Sequence, residues 1–104
     1  MQIAKVRGTV VSSQKEPSLR GAKLLLLQLV DEEGRLLPKY EVAADNVGAG
    51  VDEWVLVSLG SAARQVPGNE QRPLDAAVVA IIDSVRVGDR LIYGKRDQYT
   101  LDSG

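Results

Sequence analysis

The chain has 104 residues, which fits one domain and leaves little for a second, because domains cluster at about 100–150 residues. Its 13 Lys and Arg against 14 Asp and Glu give a formal charge of −1, so no global basic field is present to collect phosphates, and nucleic acid is disfavoured as a partner. The absence of cysteine excludes disulfide staples, thiolate nucleophiles and Cys-ligated metal, and suits a reducing cytoplasm.

Residues 2–13 place Ala4, Val6, Gly8 and Val10 at even positions, alternating with Lys5, Arg7 and Thr9, which is strand periodicity. A polar loop around Pro17 follows. Residues 23–30 (KLLLLQLV) are apolar at both parities, so a strand here buries two faces; its short length and the turn Asp31-Glu32-Glu33-Gly34 favour strand over helix. In a small domain a doubly apolar strand implies a central position or a subunit contact. The four leucines at 24–27 are the longest apolar run, far short of the roughly 20 residues that span a bilayer, and no apolar leader follows Lys5 and Arg7, so neither membrane insertion nor secretion is predicted.

Residues 39–45 alternate Tyr40, Val42 and Ala44 against Lys39, Glu41 and Ala43, and residues 54–59 form a compact apolar strand broken only by Ser58. Between them, residues 46–53 (NVGAGVDE) read as a glycine-shaped turn. After the strand, Gly60-Ser61-Ala62-Ala63-Arg64 suits one helical turn with Ser61 as cap, and residues 67–73 form a polar loop. Residues 76–87 carry Val78, Val79, Ile81, Ile82, Val85 and Val87, a β-branched run that disfavours helix and predicts the last core strand. Beyond Gly88 the patch Leu91-Ile92-Tyr93 could pair at an edge or on a neighbour, and the final residues are expected to be disordered. The expectation is an all-β, OB-like small barrel of about five strands with one short helix, spanning residues 1–87, followed by a tail at 88–104.

Sites of chemistry are sparse. The turn at 48–53 superficially begins a dinucleotide fingerprint, but Glu53 stands where the third glycine belongs and a strand follows instead of a helix. With neither His nor Cys, acid–base work would fall to carboxylates, Lys or Tyr, and the carboxylates at 31–33 and 52–53 lie in turns where solvated charge is the ordinary role. Asp83, at the parity of Ile81 and Val85, would need a partner if buried. No catalytic residue, metal site or cofactor is predicted. The barrel shape alone suggests single-stranded nucleic-acid binding, yet Phe is absent and Trp54 opens a core strand, where it reads as an anchor and not a stacking platform.

Taken in order, residues 1–11 (MQIAKVRGTVV), 19–28 (LRGAKLLLLQ), 45–50 (DNVGAG), 60–64 (GSAAR) and 77–83 (AVVAIID) resemble the bacterial microcompartment vertex proteins, and within them the carboxysome type of cyanobacteria. The resemblance runs to about Val87, and the tail after Gly88 carries no motif of it. It implies a barrel that assembles as a cyclic homopentamer and plugs the fivefold corners of a shell built for carbon dioxide fixation, with hexameric shell proteins as neighbours and no enzymatic activity. A heterologous contact repeated around a closed ring supplies such a corner. The same likeness puts Gly60, Ser61, Ala62, Ala63 and Arg64 near the fivefold axis, where small side chains let five copies converge, and offers Asp52 or Glu53 as the partner of Arg64 across subunits.

Overall fold

Five strands close into a barrel in the order β1-β2-β3-β5-β4, and two more form a separate hairpin. The computed structural model describes residues 1–12, 17, 21–67 and 74–95. The polar loops expected around Pro17 and at 67–73 fall almost wholly outside them, as do residues 96–104 of the tail. The barrel strands are β1 (Gln2–Val10), β2 (Leu24–Val30), β3 (Leu36–Asp45), β4 (Trp54–Leu59) and β5 (Ala76–Ile81). A 3-10 helix, Gly60–Gln65, follows β4, and the hairpin is β6 (Ser84–Val87) with β7 (Arg90–Gly94).

The odd leucines of β2 point inward: Leu25 and Leu27 are fully buried with Val6, Val55, Val57 and Val78, and no aromatic enters this cluster. Each such side chain stabilises the fold by about 1.5–3 kcal/mol relative to exposure. The even-numbered face of β2, Leu24 and Leu26, is half-buried and looks outward.

Two irregularities interrupt the expected alternation. In β1, Val6 pairs with Leu27 but Gly8 pairs with Leu26, so Arg7 is an inserted residue, and Gly8 and Val10 swing to the outer face instead of continuing the inward row of Ala4 and Val6. In β3, Tyr40 pairs with Gln28 and Leu36 with Val30, which leaves Leu37, Pro38 and Lys39 in a bulge. The strand thereby starts earlier than residue 39. Proline, lacking an N–H, is tolerated where the ladder is already broken, and the Gln28 side-chain amide donates to the Leu37 carbonyl at 2.9 Å in compensation.

The β-branched run expected as one strand over 76–87 is two strands. Pairing with β4 ends at Ile81, and the chain turns a corner at Ile82 and Asp83 before β6 begins. Asp83 is exposed at that corner, so it needs no charge partner, contrary to the parity argument; its backbone carbonyl accepts from Lys95 N–H at 3.0 Å. Val87 and Arg90 then close a two-residue loop with Gly88 first, at φ +59. Glycine in that place is what a tight hairpin of type II′ requires.

The hairpin packs on one end of the barrel. Val30, Trp54, Ile82 and Tyr93 form a second apolar cluster there, with the Trp54 and Tyr93 rings stacked at a centroid distance of 4.3 Å and 10° between planes. The β2–β3 turn lies against the same hairpin. A Cβ on Gly34, which stands at φ +83, would meet Ile92 Cγ2 at 2.5 Å.

Candidate functional site

Five residues singled out in the sequence, Gly60 through Arg64, make up the 3-10 helix with Gln65. Leu59 is its N-cap, in extended conformation, and no side chain caps it, so Ser61 is a residue of the first turn and not the cap. The segment is anchored twice: Gly60 N–H donates to the Asp75 carbonyl at 2.7 Å, and the Ala63 methyl is fully buried. Ser61, Ala62 and Arg64 are exposed, and among the described residues Arg64 makes no ion pair. One face of the turn is thus tied to the barrel while the other leaves a hydroxyl, a methyl and a guanidinium exposed.

The turn before β4 is built around two carboxylates. Asp45, its side chain fully covered, accepts from the backbone N–H groups of Val47, Gly48 and Ala49 at 2.9–3.0 Å and lies 3.4 Å from Lys23 Nζ. Glu53 accepts from Gly50 N–H at 2.6 Å through one oxygen and from Lys95 Nζ through the other. The Lys95 hydrogen bond, and after it the Gly50 N–H, hold the Glu53 carboxyl below its usual range. Both Glu53 oxygens are therefore engaged within one chain. Asp52 differs. Its side chain is 72% exposed with only a 3.8 Å contact to Lys5 Nζ, in a surface geometry worth little. Of the two carboxylates expected to face Arg64, Asp52 is the one left free to do so, and no ion pair of the described residues joins either to Arg64 within the chain.

A third surface was legible only as the doubled apolarity of β2. On the outer face Leu26 pairs with Val42 and Leu24 with Ala44, and Tyr40 stands opposite Gln28. Tyr40 is 57% exposed and Val42 43%. β3 bonds to β5 only at Ala44 and Asp45, so among the described residues one edge of β3 from Leu36 to Ala43 has no strand beside it. An apolar face next to an open strand edge is a surface that natural proteins cover.

Sequence reasoning missed the contacts that the tail makes. Tyr93 lies in a short apolar triplet after a glycine, and nothing in its spacing marks Trp54 as its partner. Burial pushes the Tyr93 phenol up from its ordinary value, as expected for a ring held against another ring and out of water. No group of three or more His, Cys, Asp or Glu among the described residues is placed to hold a metal ion.

Comparisons with known proteins show the family to which this barrel belongs. A protein-family model described as ethanolamine utilisation protein EutN/carboxysome matches residues 1–83. The carboxysome shell vertex protein CcmL of Nostoc sp. is 82% identical over 100 residues, covering 95% of this chain and 99% of the relative. The solved structure of Gloeobacter violaceus CcmL superposes with a TM-score of 0.89 at 69% identity, covering 93% of this chain and all of that one. The GrpN pentameric microcompartment shell protein of Rhodospirillum rubrum superposes with a TM-score of 0.78 at 44% identity, over 85% of this chain and 100% of that one.

Proposed function

The chain belongs to the ethanolamine utilisation protein EutN/carboxysome family and is a carboxysome shell vertex protein, and from that premise we propose that five copies close into a ring which caps one fivefold corner of the shell. The observation that carries this reading is the 82% identity to a named shell vertex protein along almost the whole of both chains. The role is structural. A flat hexagonal layer closes into a polyhedron only with fivefold corners, and hexameric shell proteins are the neighbours that such a corner meets. The alternative of single-stranded nucleic-acid binding gains nothing from the fold, because the Trp54 ring that would stack on a base is stacked on Tyr93.

Within the ring the 3-10 helix faces the axis. Gly60, Ser61 and Ala62 are small enough for five copies to approach closely, and Arg64, exposed and without an ion pair among the described residues, reaches Asp52 of the adjacent copy. Glu53 is displaced from the expected pairing by its two partners at home, Gly50 and Lys95. The outer face of β2 and β3 supplies the flank: Leu24, Leu26, Tyr40 and Val42 are apolar residues that one chain alone leaves in contact with water.

Light scattering after size exclusion tests the ring. Five copies of the 11.2 kDa chain have a mass of about 56 kDa, expected to persist at high salt because the flank is apolar. Ala62→Trp should crowd the axis and Val42→Glu should place five charges in the flank, and each is expected to give folded chains of lower mass. A wild-type monomer would overturn the ring. A pentamer that survives Val42→Glu would remove that face from the contact while leaving the ring intact.

A further inference from the structure

We propose that the β6–β7 hairpin is a strap that leaves and re-covers the end of the barrel as one unit, while the barrel ladder stays closed. The inference goes beyond the ring and does not depend on it.

Two observations carry it. First, among the described residues β6 and β7 pair only with each other, and the base of the hairpin is closed on itself by Lys95 N–H donating to the Asp83 carbonyl at 3.0 Å. Its backbone hydrogen bonds are internal. The last backbone bond to the barrel is made just before the corner, from Ile82 N–H to the Trp54 carbonyl at 2.8 Å. Second, the contacts that hold the hairpin down are made by side chains. Tyr93 stacks on Trp54, Lys95 bonds to Glu53, and Ile92 lies over Gly34. Breaking these few contacts costs no rung of the barrel, whose core is filled from β1 to β5 without them.

Asp83, exposed at the corner between Ile82 and β6, is the position about which the unit swings. Once undocked, the hairpin uncovers Trp54, Val30 and Ile82, an apolar surface that the docked chain hides. A lone two-stranded hairpin is marginal in water, so the undocked state is a minor one and the strap returns by refolding onto the same cluster.

Amide hydrogen exchange on the full-length protein in its native assembly, at neutral pH, tests the strap. Amides of residues 84–94 are expected to be protected roughly tenfold or more less than those of Leu25, Leu27 and Val57, since sub-global opening exposes only the unit that leaves. Tyr93→Ala is expected to raise exchange in residues 84–94 and to leave the barrel amides unchanged. Glu53→Gln, a smaller change that keeps an acceptor for Gly50 N–H, is expected to do the same to a lesser degree and serves if Tyr93→Ala does not fold. Quenching of the sole tryptophan, Trp54, by acrylamide should rise in parallel. Equal protection of hairpin and barrel, or a variant that shifts both together, would make the two a single cooperative unit and overturn the proposal.

Discussion

Leu27 and Tyr93 are both almost wholly buried, at 0% and 5% exposure, yet they are held in place by different means. Leu27 sits in a closed aliphatic interior and is itself paired through the barrel ladder with Val6 on one side and Glu41 on the other, so it cannot move without breaking the ladder. Tyr93 sits between a hairpin and a barrel that share no strand pairing among the described residues, so one aromatic stack, one ion pair and a few aliphatic contacts decide whether it stays. Burial alone does not report how much of the fold depends on a residue. What matters is whether the covering element is tied by backbone or by side chains.

The largest expected effect breaks the comparison from the barrel side. Leu27→Ala leaves a cavity lined by strands that cannot collapse, and is expected to cost about 2–5 kcal/mol, a large share of a small domain's stability. A denaturant melt should show the barrel midpoint fall, with the hairpin signal lost no later than the barrel's. At the seam the effect is smaller. Gly34→Ala forces a side chain into positive φ and its Cβ against Ile92, and is expected to cost about 1–3 kcal/mol. Because the strain falls on the hairpin side, the loss should appear first as increased exposure of Trp54, with strand circular dichroism unchanged.

The same distinction explains which parts of the fold were legible in the sequence. Strands β2 and β4 could be read directly because their residue types and flanking turns agree, and Gly60–Arg64 could be picked out as a single helical turn of mostly small residues. The bulge at Arg7 was invisible, since one inserted residue leaves composition unchanged while it reverses which side chains face the core. The break between β5 and β6 was hidden by valine and isoleucine running through it, and Asp83, a charge inside that apolar run, marks the corner. Hairpin docking was beyond reach: the Trp54–Tyr93 and Glu53–Lys95 contacts join residues some forty positions apart, and neither pair has a local signature.

The smallest effect sharpens the comparison, because it acts on the hairpin alone. Glu53 has its carboxyl lowered below the ordinary 4.5, first by Lys95 and then by Gly50 N–H, against some burial and the opposing charge of Asp45. A lowered carboxyl gives stability that is complete above 4.5 and fades as pH falls through the folded-state value. Docking should therefore be constant from neutral pH to about 5 and weaken below it, by about 1 kcal/mol or less for a partly exposed pair. Asp31 in the β2–β3 turn is lowered too, chiefly by the Arg35 N–H, and destabilises the chain in the same acid range, so wild type alone cannot isolate Glu53. The comparison with Glu53→Gln removes that background, since Asp31 is present in both. The difference in Trp54 quenching between the two proteins should be present at pH 7 and shrink as pH falls below 4.5 through the folded-state value. No difference at pH 7 would mean that the contact is held by packing of the Glu53 and Lys95 stems, which Gln retains, and that the ion pair adds nothing to it.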